Sequence, residues 1–387
     1  MPRVVTGLAR LARDGDRRLA GKRVGLITNP TGVTAELRTA VDVCRELPGV
    51  RLTALFACEH GLNGERQAGV RFEDGVHPAL GIPVYSLYGP RKAPDAATLA
   101  DVDAVLFDMQ DLGLRFYTYG STLVYVMRAC AEHGVPLFVL DRPNPLGGLR
   151  VEGGLLRPGF ESMVGAWPMP VKTGMTIGET ALMANDALGI GCDVRVVPME
   201  GWPRAMEFPE TGLPWMLPSP NIPTIETARA YAGTCFFEGT NVSEGRGTTR
   251  PFEWIGAPWF DGRKVADAMN ALRLPGVRFH PVYATPTFSK HAGELCGGVR
   301  LFVTEPAAYE AVRTGLTLLH TVARLHPDAF AWLPPFRDGM RPFIDLLAGG
   351  EDVRLSVAEE AGLHRVLEAW ARDADIWTER RKPFLLY

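Results

Sequence analysis

The sequence predicts an α/β protein, a Rossmann-like parallel-sheet domain joined to a second, smaller α+β domain. Three observations carry this. The chain has 387 residues, too many for one ordinary domain. Through its first half, short β-rich runs alternate with segments of helical spacing. A stretch dense in proline and tryptophan, GWPRAMEFPETGLPWMLPSPNIPT, then separates that alternation from a mixed remainder.

Taken in order, RVGLITN (23–29), VRLTALFA (50–57), IPVYSLYG (82–89), VDAVLFDM (102–109), VPLFVLD (135–141) and CDVRVVPM (192–199) read as strands. Between them, AELRTAVDVCREL, APDAATLADV and STLVYVMRACAEHG have helical spacing. Strands alternating with helices imply a parallel sheet with right-handed crossovers and covered faces. In MTIGETALMANDAL, Thr176 precedes Glu179 at capping-box spacing, so a helix starts there. The Pro/Trp stretch cannot sustain a helix or central strand and is expected to wrap over the surface. Domains are therefore expected at 1–228 and 229–387. The second domain would hold strands VRFHPVYA and GGVRLFVT, and helices AYEAVRTGLTLLHTVARLH and VAEEAGLHRVLEAWARDADIWTERRKPFL.

Composition narrows the function classes. Hydrophobic residues make up 46% and charged residues 22%, the proportions of a folded globular chain. The 41 Lys plus Arg nearly balance 44 Asp plus Glu, and a net charge of −3 supplies no basic field for nucleic acid or anionic membrane. Small-molecule chemistry is the expectation. The abundance of Gly (42) and Pro (31) predicts long, ordered, site-forming loops. Six cysteines without a C-x-x-C pair fit buried thiols in a reducing compartment. No apolar leader or membrane-spanning run is visible, which predicts a cytoplasmic protein.

In an open parallel sheet, ligands bind beyond the carboxyl ends of the strands. The residues following the strands here are Asn29, Glu59, His60, Asp108, Asp111, Asp141 and Asn144. A carboxylate directly after the apolar run LFAC is expected to be partly desolvated, so Glu59 is the candidate acid, with His60 as its orienting neighbour. Asp141 and Asn144, in DRPNP, could instead cap turns beside proline. In DLGLRFYTYGST, Arg115, Tyr117 and Tyr119 combine a guanidinium with polar-tipped aromatics, which suits a sugar ring bearing an acid. FFEGTNVSEGRGTTRPFE adds Glu238, Asn241, Glu244 and Arg246 among glycines that permit close backbone approach, and SKHAGELCGG adds His291. No G-x-G-x-x-G follows the first strand, and G-x-S-x-G, H-E-x-x-H and Walker A motifs are lacking. No cofactor is expected.

GLITNPTGV, FACEHGLNG, FDMQDLGLRFYTY, LDRPNPLGG, PSPNIPT and FFEGTNVSEGRGTTRPFE, in this order and spanning nearly the whole chain, resemble the exo-acting β-N-acetylmuramidases. These glycoside hydrolases release N-acetylmuramic acid from the non-reducing end of peptidoglycan fragments. The resemblance implies a cleft between a Rossmann-like domain and a smaller C-terminal one, with the glutamate of the E-H-G motif, Glu59, as catalytic acid/base. Family members are often exported, whereas no leader is visible here.

The second catalytic function could fall to Asp111, Glu238, Glu244 or the substrate's own acetamido oxygen, and the lactyl carboxylate to Arg115 or Arg246. One rival reading makes Glu59, His60, Asp108, Asp111 and Asp141 the ligands of a divalent ion in a metal-dependent hydrolase. Another makes the protein a non-catalytic muropeptide-binding module.

Overall fold

The computed structural model describes residues 4–387. Seven strands form the larger sheet: β1 (Arg23–Thr28), β2 (Arg51–Ala57), β3 (Gly75–Val76), β4 (Pro83–Ser86), β5 (Ala104–Asp108), β6 (Leu137–Leu140) and β7 (Val194–Val197). Their spatial order is β3-β4-β2-β1-β5-β6-β7, and every pair is parallel except the β3–β4 edge. The central strands are covered on both faces. Leu26 and Leu106 pack with Leu8, Val43 and Phe138 on one side, whereas Ile27 and Phe107 pack with Leu123 and Met127 on the other. That double burial explains why β5 and β6 read as unbroken apolar runs.

The expected capping box forms. Thr176 Oγ1 accepts from the Glu179 amide, and Glu179 Oε2 accepts from the Thr176 amide, opening helix Ile177–Ala187. All six cysteines are free and buried.

The Pro/Trp stretch departs from expectation in two ways. It holds a short helix, Phe208–Thr211, because Pro209 sits in the first turn, where its missing N–H leaves no bond unmade. It also does more than wrap the surface: Gly201, Pro203, Ala205, Pro209, Glu210, Gly212 and Leu217 are exposed as expected, but other side chains turn inward. Trp202, Phe208 and Ile222 are buried, as are Ser219 and Asn221, because its large apolar groups gain by leaving water, Phe208 over the sheet's carboxyl rim.

Three antiparallel strands build the second sheet in the order β8-β10-β9: β8 (Trp254–Ala257), β9 (Val277–Pro281) and β10 (Gly297–Val303). Helices Ile225–Thr234, Gly262–Ala271, Ala311–Leu325 and Glu360–Arg380 surround it, giving a smaller α+β unit. Edge strand β3, strand β8 and helix Gly262–Ala271 were not foreseen. Apolar packing is continuous between the two units, running from Phe56 and Phe107 to Phe252, Val299 and Leu316. The chain end returns to the first sheet, where the Tyr387 hydroxyl donates to Asp141 Oδ2 at 2.7 Å.

Helices Ile225–Thr234 and Ala311–Leu325 touch through glycines. A β-carbon on Gly315 would collide with the Gly233 carbonyl, and one on Gly233 with the carbonyl of Ala311. Gly315→Ala raises intrinsic helix propensity by about 1 kcal/mol, yet overpacking costs about 1–3 kcal/mol. The expected result is net destabilisation in urea unfolding; equal or higher stability would show that the helices do not meet there.

Candidate active site

Beyond the carboxyl ends of β1 and β5, where strand order reverses, the sheet offers the usual ligand crevice. Here that crevice is filled. Asp108 takes both donors of a forked Arg142 guanidinium, Nε at 2.5 Å and Nη2 at 2.9 Å, with both side chains buried. Phe208, Leu213, Pro214 and Met216 close over Thr31, Val33 and Gln110. Asp141 is also occupied: it accepts from the Arg142 and Gly178 amides and from the hydroxyls of Thr176 and Tyr387. Asn144 bridges the Met175 carbonyl and the Leu146 amide. The set that the rival metal-dependent reading needs is thus dispersed, with Asp108 and Asp141 spent on internal partners. No group of three or more His, Cys, Asp or Glu side chains among the described residues is arranged to hold a metal.

The open site lies to one side, over β2 and β4, as a cavity of about 600 Å³ between the two units. Glu59, two residues past the end of β2, lines it and is 8% exposed. Its carboxylate is fixed at both oxygens: Oε1 accepts from the Gly69 amide at 3.1 Å and Oε2 from Thr118 Oγ1 at 2.8 Å. Thr118 is the first residue of helix Thr118–Glu132, whose amino end favours an acidic neighbour. Tyr88, after β4, lines the same wall; burial and the adjacent Glu59 push its phenol pKa up. His60 lines the cavity with Nδ1 2.9 Å from the Arg66 carbonyl, so Nδ1 carries the proton and Nε2 is left as an acceptor. Burial lowers its pKa against the opposing pull of Glu59, which keeps the ring neutral near pH 7.

The glycine-rich segment supplies the facing wall. Glu238 and Arg246 line the cavity and pair at 2.7 Å, and Arg246 Nε lies 3.3 Å from Glu244. Burial raises the pKa of Glu238 against the opposing effect of Arg246. Arg246 Nη1 has no hydrogen-bond partner among the described residues. Glu244 stands behind, held by Lys290 Nζ at 2.9 Å. Asn241 binds the backbone of Ala329 and Ala331, and His291 Nε2 lies 2.8 Å from the Asn241 carbonyl. These three brace the loop and do not line the cavity.

Aromatic side chains form the floor: Phe116, Tyr117, Tyr231 and Phe252 line the cavity while being almost wholly buried. Tyr117 meets Tyr119 edge-on, with centroids 4.9 Å apart, and its hydroxyl is buried without a hydrogen-bond partner among the described residues. Tyr119 lies behind the cavity, accepting from Asn29 Nδ2 and donating to the Pro218 carbonyl, both at 2.7 Å. Asn29 therefore aligns the floor from below. Arg115 does not face the cleft. Its guanidinium makes three hydrogen bonds, to the carbonyls of Gly154, Met169 and Leu347, and so ties the two units together through backbone.

Sequence reasoning missed Thr118, Gly69, Tyr88, Tyr231 and Phe252. Only Thr118 and Phe252 fall within segments it singled out; backbone donation by Gly69 leaves no signature in residue type.

Asp111 lies apart from the cavity, between Gly113 and Asn144. Burial raises its pKa to about 7, the Gly113 amide donates to Oδ2, and Oδ1 has no partner among the described residues. A carboxyl that binds its proton more tightly folded than unfolded contributes most below its unfolded value, near 3.8, and that contribution is lost as pH rises toward 7. Asp111→Asn keeps an acceptor for the Gly113 amide. Its stability gain over wild type should grow between pH 4 and 7 in denaturant unfolding, with activity retained; a pH-independent difference would contradict the burial.

The family model for the N-terminal part of exo-β-N-acetylmuramidase matches residues 24–226, and the model for the C-terminal part matches residues 229–387. A peptidoglycan β-N-acetylmuramidase, NamZ, of Bacillus subtilis (strain 168) is 45% identical over 386 residues, covering 100% of this chain and 92% of the relative. Two crystal structures of DUF1343 family proteins from Bacteroides fragilis NCTC 9343 share the fold. One has a TM-score of 0.92 at 34% identity, covering 100% of both chains. The other has a TM-score of 0.77 at 30% identity, covering 99% of both. With family models matching most of the chain in both halves and a relative 45% identical along its whole length, the chain belongs to the exo-β-N-acetylmuramidase family.

Proposed function

We propose that this chain is an exo-acting glycoside hydrolase that releases N-acetylmuramic acid from the non-reducing end of peptidoglycan fragments, with Glu59 as general acid/base. One observation carries the assignment within the site. Glu59 and Glu238 are the two carboxylates that line a single aromatic-floored cavity among the described residues, one from each unit. A volume of about 600 Å³ is in the range of small-molecule sites. The floor of Phe116, Tyr231 and Phe252 closes the cavity behind a terminal sugar, as exo cleavage requires.

In this reading Glu59 donates its proton to the glycosidic oxygen as the aglycone leaves, then accepts one from the attacking water. The Gly69 amide and Thr118 hydroxyl hold the carboxyl against rotation, so it meets the bond in one orientation. Glu238, positioned by Arg246, carries negative charge toward the oxocarbenium-like centre. Of the other carboxylates considered for that part, Asp111 and Glu244 lie outside the cavity lining. Arg246 Nη1 is the donor offered to the lactyl carboxylate that distinguishes muramic acid from glucosamine.

No helix among the described residues is long and apolar enough to cross a membrane. The six free, buried thiols support action in a reducing compartment, on muropeptides taken into the cytoplasm.

Glu59→Gln should keep the fold and lower chromophore release from an aryl N-acetylmuramide by about 10²–10⁴-fold. Wild-type turnover would remove Glu59 from its role, whereas undiminished muropeptide binding without any turnover, even in wild type, would establish the binding-module reading. Arg246→Lys keeps a charge between Glu238 and Glu244 but loses the guanidinium fork. It should reduce the preference for aryl N-acetylmuramide over aryl N-acetylglucosaminide, read as the ratio of kcat/KM; an unchanged ratio would place lactyl recognition elsewhere.

A further inference from the structure

The aromatic residues of the cavity fall into two groups. Phe116, Tyr117, Tyr231 and Phe252 are buried in its floor, but Phe288 is 41% and Phe336 71% exposed while lining the same cavity. A single exposed phenylalanine on a surface requires no explanation. Two on separate loops, both exposed and both lining one cavity, are a different matter.

Phe288 is also held with unusual firmness for an exposed residue. The Thr287 amide and hydroxyl both donate to the Gly247 carbonyl, at 2.8 and 2.9 Å, and Lys290 Nζ donates to the carbonyls of Phe237 and Val242, at 2.8 and 3.0 Å. Ser289, between these anchors, adopts φ 68°, and His291 φ 57°, left-handed conformations that non-glycine residues hold only when their surroundings impose them. Phe336 packs against Phe343, with centroids 5.3 Å apart, so one edge is supported while the ring remains open to solvent.

We propose that Phe288 and Phe336 form the platform for the leaving-group sugar, a neutral pyranose bound outside the cleavage point. The proposal rests on the reading that the closed end of the cavity takes the terminal residue: the remainder of the glycan must then exit through the mouth, across these two rings. The apolar hydrogen face of a pyranose complements the electron-rich face of an aromatic ring, and stacking tolerates variation beyond the first leaving sugar better than hydrogen bonds do. The rings select for a sugar in the leaving position without contributing to recognition of the released muramic acid.

The test uses Phe336→Ala, Phe336→Leu and Phe288→Ala in the full chain with two ligands: the disaccharide N-acetylmuramyl-β-1,4-N-acetylglucosamine as substrate and free N-acetylmuramic acid as product inhibitor. Each alanine variant should raise KM for the disaccharide about five- to tenfold, with kcat changed less and product inhibition unchanged. Phe336→Leu, apolar but without a flat face, should resemble alanine. An unchanged KM, or product inhibition weakened in step with it, would overturn the platform. The underlying reading fails separately, through absence of disaccharide hydrolysis by the wild-type chain, and a circular dichroism spectrum of each variant identifies any loss of fold.

Discussion

The site depends on an aromatic seam between two sheets. Phe116, from the loop after β5, meets Tyr231 edge-on at 5.0 Å and Phe236 at 6.0 Å, and Tyr231 meets Phe252 at 4.5 Å. Each such pair contributes about 0.5–1.5 kcal/mol beyond its buried area. More important than that sum is what the seam fixes. It holds the backbone that presents Thr118 to Glu59 against the backbone that presents Glu238 and Arg246, so the two carboxylates occupy one cavity despite lying far apart in the chain. Arg115 reinforces the seam from beneath, one residue before Phe116, by joining carbonyls of both units.

Backbone strain collects where the seam meets the cavity. Among the described residues, the non-glycine positions with positive φ are Leu37, His60, Phe252, Arg273, Ser289 and His291. Three of these, His60, Phe252 and Ser289, line the cavity. A bulky aromatic at positive φ is rare, and Phe252 adopts it where its amide donates to the Glu244 carbonyl at 2.6 Å and Arg246 stacks over its ring at 5.0 Å. Such conformations cost about 1–3 kcal/mol each and persist only where packing over-determines them. The cavity wall is therefore preorganised at the expense of local stability, which suits a site that must hold a charged transition state without rearranging.

Fold class was legible because double burial writes itself into composition: β1, β2, β5 and β6 are apolar without alternation, and helices fill the spaces between them. The capping box at Thr176 was legible for a similar reason, since both of its hydrogen bonds are local. Glu59 could be singled out because it directly follows a buried apolar run. By contrast, Arg115, Asn144, Asn241 and His291 have the residue types of a binding site and serve as braces. Sequence shows that a polar group is present but not whether a backbone carbonyl across the molecule has already taken its donors. The same limit hid Gly69, whose contribution is an amide that every residue but proline possesses.

The rim carboxylates make that limit specific. Asp108 ends one strand of the sheet, Asp141 and Glu59 follow two others, and each is buried. Their fates differ by partner. Asp108 meets a guanidinium fork whose charge cancels its own, so the pair is self-contained and has nothing to offer a ligand. Asp141 accepts four donors, two of them backbone amides, and is spent on anchoring a helix start and the chain end. Among the described residues, Glu59 accepts from one amide and one hydroxyl and is paired with no cation. A carboxyl so placed keeps lone pairs free and borders open volume, and those two properties allow it to exchange a proton with whatever fills the cavity. On the proposed reading, the rim acid left for a substrate is the one that combines incomplete compensation with a border on open volume; Asp111 shares the first property but lies outside the cavity lining.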